Sequence, residues 1–224
     1  MGDQADSRDL QGSDDPTVDG PATQPDFSDL RAAPRFSLLI RSAKLVYETG
    51  EYMCIVRDVS ASGVRLRLFH ALPAERQVTL ELATGETFAI ERVWEHEGHA
   101  GFRFSNPIDV HRFIAEAGPY PKRPLRLRLE LPARLTMLGG EPFDATIRDL
   151  SREGARVDTG EMLAIGQKVK IEAKGLPPLT AIVCWRSVPA YGLSFQQSFT
   201  FEELAKLAAR LQPIDTAPAA RRYG

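Results

Sequence analysis

Cysteine is scarce in this chain of 224 residues: Cys54 and Cys184 are its only two, both in strand-like segments, and no CxxC or metal-type spacing joins them. That argues against a disulfide framework or a thiolate metal centre and predicts two buried free thiols. Long apolar runs are also missing. No stretch approaches the roughly 18 to 20 residues that span a bilayer, and the acidic N-terminus has neither the basic nor the apolar region of a leader, so a cytoplasmic protein without membrane insertion is expected. The first aromatic residue is Phe27, and residues 1–29 are rich in Asp, Gly, Pro, Ser, Thr and Gln. Such a segment buries too little apolar surface to offset chain ordering, which predicts a disordered acidic tail. Residues 1–30 hold eight Asp and one Arg with no Lys or Glu, so within a net charge of −2 they carry −7 and leave +5 on the remaining 194 residues. A body charge that small speaks against nucleic acid as the partner and suits a small anion. Nucleophile elbow, P-loop and catalytic carboxylate pair are all lacking, so the chain reads as a non-enzyme. His96-Glu-Gly-His99 falls in a hairpin turn and lacks a third ligand, so no metal or cofactor is expected.

What the chain does have is an internal repeat. At a constant offset of 91 residues, Asp58, Ser60, Gly63 and Arg65 fall on Asp149, Ser151, Gly154 and Arg156. Trp94, Gly101 and Phe104 fall on Trp185, Gly192 and Phe195, Arg57 falls on Arg148, and Arg35 on Arg126. The reading is two homologous domains, 30–119 and 120–213, after a tail of 1–29 and before a short tail of 214–224. In each copy, short segments with period-two alternation are separated by turn signals such as Glu48-Thr-Gly-Glu51 and Thr84-Gly85, which predicts a mostly β fold of six antiparallel strands closed as a barrel. The strand candidates are 36–47, 52–57, 64–69, 77–82, 87–95 and 100–104, then 127–137, 145–148, 155–158, 167–173, 179–186 and 191–195. Each barrel is followed by a C-terminal helix. Pro107 stands at a first helical position in copy one, whereas Thr200-Phe-Glu-Glu203 has capping-box spacing in copy two, with Phe201, Leu204, Leu207 and Leu211 in one stripe expected to pack on the mouth of its own barrel.

Arg31-Ala-Ala-Pro-Arg35 and Asp58-Val-Ser60-Ala-Ser-Gly63 bracket one strand pair of the first copy. An arginine fork matches phosphate oxygens and the O6/N7 edge of guanine, and it stacks on a base plane. Ionised Asp58 accepts only, so it can take the N1–H and amino donors of guanine. Ser60 adds a small donor and acceptor, and Gly63 allows either φ > 0 or a close approach of backbone to ligand. In isolation Asp-x-Ser-x-x-Gly is also an ordinary turn. Trp94 and Trp185 are expected in the core or at the barrel rim rather than as stacking platforms.

The two motifs in this order, with Trp94 and Gly101-x-x-Phe104 on later strands, resemble the PilZ domain family of bacterial cyclic di-GMP receptors, in two tandem copies. The resemblance implies cyclic di-GMP as the ligand of Arg31, Arg35, Asp58, Ser60 and Gly63, and second-messenger signalling to an unidentified protein effector, with motility, surface polysaccharide or adhesion as output. In the second copy Asp149, Ser151 and Gly154 keep the pattern, but Lys122 stands where Arg31 would, Arg123 is one residue closer to Arg126, and Glu153 brings a negative charge into the turn. That copy is either a second site or a structural or homodimerising barrel. Two other classes stay open: a ligand-independent scaffold, and a single-strand nucleic-acid binder that the acidic tail disfavours.

Overall fold

The computed structural model describes residues 36–115 and 124–212, and the tail, Arg31, Arg35, Lys122 and Arg123 lie outside them. Twelve strands alternate with two helices: β1 Phe36–Tyr47, β2 Gly50–Val59, β3 Gly63–Arg67, β4 Gln77–Leu82, β5 Thr87–His96, β6 His99–Phe104, α1 Val110–Ala115, β7 Leu127–Met137, β8 Pro142–Leu150, β9 Gly154–Asp158, β10 Lys168–Ala173, β11 Leu179–Ser187, β12 Ala190–Phe195 and α2 Phe201–Leu211. They form two closed antiparallel barrels with the same order, β1-β2-β3-β6-β5-β4 and β7-β8-β9-β12-β11-β10. The expected fold class is therefore observed, and the repeat shows itself in the register: Asp58 faces Arg65 as Asp149 faces Arg156, and Trp94 faces Gly101 as Trp185 faces Gly192.

Alternation accounts for most of the inward-facing set. Leu80, Leu82, Leu66, Ile90, Ala100 and Phe102 fill barrel one, while Leu135, Ile147, Val157, Val169, Ile171, Val183 and Leu193 fill barrel two. Alternation fails at β-bulges, where one extra residue reverses the parity of the strand. Register shifts before Trp94 and before Trp185 leave two consecutive residues facing out in each strand. Trp94 and Trp185 face out as a result, which takes both indoles out of the core, whereas Val93 and Cys184 face out by alternation itself; the exposure of Cys184 corrects the expectation that both thiols are buried. Cys54 is buried and free, and burial pushes its thiol above the ordinary range.

Helix α1 also differs from expectation. It begins at Val110 rather than Pro107, because the Asp109 carboxylate accepts from the backbone N–H groups of His111 and Arg112 and so caps that end. The capping box of α2 forms as read: Glu203 N–H donates to Thr200 Oγ1 (3.2 Å) and Thr200 N–H to Glu203 Oε2 (2.8 Å). Yet α2 reaches beyond its own barrel. Leu204, Ala205, Leu207 and Ala208 enter the core of barrel two, while Ala209 packs against the core of barrel one and Phe201 meets Phe69 with ring centroids 5.6 Å apart.

A polar clamp completes this junction. Lys44 and Glu51, buried at 3% and 6% exposure, pair across the first hairpin (Nζ to Oε2, 2.9 Å). Lys44 Nζ also donates to the Arg126 carbonyl (3.1 Å), and Arg128 N–H donates to Glu51 Oε2 (2.9 Å), so one ion pair grips β7 and the residue before it on both sides of Leu127. At the end of α2 the Gln212 side chain bonds the backbone of Glu51 twice, Nε2 donating to O and Oε1 accepting from N–H, each at 2.8 Å. Every polar group in this set has a partner, as buried charge requires.

His70 lies at the edge of barrel one, its ring 4.9 Å from that of Tyr52, and burial is the main cause that lowers its pKa below the ordinary 6.5. The neutral ring is the form the fold tolerates, so the unfolded chain binds the extra proton first. This contribution is complete above about pH 6.5 and is lost as pH falls through 6.5 toward the lower folded value. Thermal melts between pH 7.5 and 5 should show a midpoint that drops with acid, and His70→Gln should flatten that drop; an unchanged slope would remove the assignment.

Candidate ligand-binding cleft

The outer wall of barrel one carries a cleft of about 290 Å³ formed by four strands and the turn Ser60–Gly63. Asp58 comes from β2, Gly63 and Arg65 from β3, Gly101 and Arg103 from β6, and Val93 and Trp94 from β5. Chain topology brings them together because β3 lies between β2 and β6, with Gly63 opposite Arg103 and Arg65 opposite Gly101. Two facing strands thus each present a glycine. The resulting floor is glycine backbone at Gly63 and the indole of Trp94 laid over Gly101, walled by guanidinium groups and a carboxylate.

The motif residues divide into two kinds. Asp58 lies on the cleft wall, ion-paired with Arg65, whose side chain is half exposed. Ser60 serves the turn: it is buried, its hydroxyl accepts from Gly63 N–H (3.1 Å), and its N–H donates to the Gly63 carbonyl (2.8 Å). The turn then passes two carbonyls to the end of β6 and the chain beyond it, Ser62 accepting from Phe104 N–H and Ala61 from Ile108 N–H. Gly63 does not adopt positive φ, in contrast to one expectation. Its requirement is packing, since a Cβ there would stand 2.9 Å from the Phe102 carbonyl oxygen. Gly101 serves Trp94 in the same way: a Cβ would come within 2.0 Å of the indole Nε1, so the ring lies across this residue because no side chain is there.

Barrel two builds the same turn, with Ser151 Oγ accepting from Gly154 N–H (3.1 Å), but its wall has different electrostatics. Arg126, the match of Arg35, donates to Asp149 (3.0 Å), so this carboxylate carries a guanidinium, as Asp58 does through Arg65. Asp158 stands where barrel one has Arg67, and it draws Arg148 (2.8 Å) and Arg156 (3.8 Å) to itself. Ser194 stands in place of Arg103. This wall has lost cations and gained acids.

Arg103, Val93, Phe102 and Ser62 line the first cleft and were missed by motif reading. For Arg103 a signal existed: it lies two residues beyond Gly101 on a strand of period two, hence on the same outer face. Among the described residues no group of three His, Cys, Asp or Glu side chains is placed to hold a metal ion, and no helix is long and apolar enough to cross a membrane.

Fold and site together define a tandem of small closed barrels with a polar cleft on the outer wall of the first. The PilZ domain matches residues 29–115 and 122–212, and the chain belongs to that family. Solved structures similar to it include PlzA of Borreliella burgdorferi in complex with c-di-GMP, at 10% identity over 75% of this chain and 86% of that one, with a TM-score of 0.31. The inhibitor of motility MotI/DgrA of Bacillus subtilis is similar at 12% identity over 77% and 95%, with a TM-score of 0.31. YcgR of Escherichia coli in complex with c-di-GMP is similar at 12% over 76% and 81%, with a TM-score of 0.27. No curated protein matches the chain.

Proposed function

We propose that this chain is a cytoplasmic cyclic di-GMP receptor or adaptor, not an enzyme, that passes second-messenger level to a protein effector. The cleft on barrel one carries the reading. It offers a guanine-reading carboxylate in Asp58, cations in Arg65 and Arg103, an exposed indole in Trp94 and a glycine floor. Arg31 and Arg35, in the segment that leads into β1, would close over it with stacking and bidentate contacts. Ser60 and Gly63 act by holding the turn that sets Asp58 in place. The ligand named in the structures of PlzA and YcgR, c-di-GMP, has the chemistry this cleft fits.

Barrel two, taken as residues 120–213 beside 30–119 for barrel one, serves as support in this reading. Asp158 and Glu153 disfavour a phosphate there. The clamp between the barrels favours the same role. An output in motility, polysaccharide or adhesion follows from the family, and no residue selects among them.

Titration calorimetry with cyclic di-GMP tests the reading. One ligand-binding barrel is expected, with affinity falling about a hundredfold in Asp58→Ala because two donors of guanine lose a charged acceptor, and to a similar degree in Arg35→Ala, while Arg126→Ala leaves it unchanged. Absence of heat with the wild type would favour the ligand-independent scaffold.

A further inference from the structure

We propose that Arg103 is a specificity-determining contact of this cleft, one that exchanges an ion pair within the protein for the anionic ligand; the inference rests on the cleft being the cyclic di-GMP site. Arg103 projects from β6 directly opposite Gly63, so nothing from β3 covers its face. It lines the cleft together with Asp58, Arg65 and Trp94. Its Nη2 donates to Glu91 Oε2 (2.8 Å), with Arg103 65% and Glu91 34% exposed at the side chain, and Arg76 reaches the same carboxylate at 3.9 Å. A pair that exposed is held weakly. A phosphate or a guanine O6/N7 edge offers the same fork a bidentate partner in a more sheltered place. Glu91 also has Arg76 to fall back on, so releasing Arg103 strands no charge.

The twin barrel gives an internal comparison. At the matching positions β12 carries Ser194 and β11 carries Ile182, so the cation and its resting carboxylate are both absent from the wall that has turned acidic. The pair is found on the barrel with the open cleft and missing from the other.

Two substitutions of opposite sign test this by calorimetric titration of the full chain with cyclic di-GMP. Arg103→Ser, a residue the twin barrel already accommodates, is expected to weaken binding about tenfold, the loss of one bidentate contact. Glu91→Gln, which removes the competing carboxylate without touching the ligand, should tighten binding about two- to threefold, as a weak surface pair predicts. Arg103→Lys should fall between wild type and Arg103→Ser, since it keeps the charge and loses the fork. Equal affinities for wild type, Arg103→Ser and Glu91→Gln, with thermal melts showing all three folded, would overturn the role of Arg103 and leave the receptor reading standing. A wild type that does not bind overturns both.

Discussion

Glu51→Ala is expected to lower unfolding stability by about 3 kcal/mol and to split one denaturation transition into two. Removing one partner of a buried ion pair costs on the order of 3–5 kcal/mol because the other charge is left in a poor solvent. The low end applies here, as Lys44 keeps Glu81 at 3.3 Å. The splitting follows from position. Glu51 accepts from Arg128 N–H of barrel two, so its carboxylate belongs to both units at once. Chemical denaturation followed separately by Trp94 in barrel one and Trp185 in barrel two checks both effects: coincident curves in the wild type and separated curves in the variant. A double variant, Lys44→Met with Glu51→Leu, should recover only part of the loss: no charge is left buried, but the Arg126 carbonyl and the Arg128 N–H lose their partners. A loss below about 1 kcal/mol in Glu51→Ala would place this pair with ordinary surface bridges.

Gly154→Ala is expected to be the more damaging of two matched glycine substitutions. A Cβ at Gly154 would stand 2.2 Å from the Leu193 carbonyl oxygen and 3.3 Å from its carbon, and these backbone atoms belong to the β9–β12 ladder. Relief requires the strands to separate, at about 3 kcal/mol, the upper part of the usual range for overpacking. Gly63→Ala meets one backbone oxygen at 2.9 Å and should cost about 1 kcal/mol, at the lower end of that range. Thermal melts of both variants decide the matter. Equal losses would mean that the two turns are not packed differently, contrary to the distances.

The repeat at offset 91 made both barrels legible, because matched turns and matched strand residues at one spacing require the same pairing twice. Strands 36–47, 77–82 and 127–137 were read with the bounds they have. The outward turn of both tryptophans was hidden because period-two reading assumes that parity is kept along a strand, and the bulges before Trp94 and Trp185 break it. Cys184 is a different case: alternation with buried Ala181 and Val183 already faces it out, and a place within a strand says nothing of which side a thiol takes. The junction was illegible for another reason. Lys44 and Glu51 look like solvated residues on a barrel wall, and only the arrival of β7 and α2, distant in sequence, buries them. At the cleft, Asp58 was legible from its motif, whereas the neighbours that β5 and β6 contribute depended on which strands lie adjacent.

Closure of both sheets has a consequence for whatever reads the output. Strand β4 returns to β1, and β10 to β7, so neither barrel offers a row of unpaired N–H and C=O groups. A partner therefore cannot dock by extending a sheet, the mode in which main-chain bonds supply affinity cheaply and with little regard to sequence. Recognition must run through side chains on the walls and connections, where a change of a few charges alters the outcome. A protein built this way stays inert toward stray extended peptides, and its selectivity can be rewritten at the surface while the scaffold is kept.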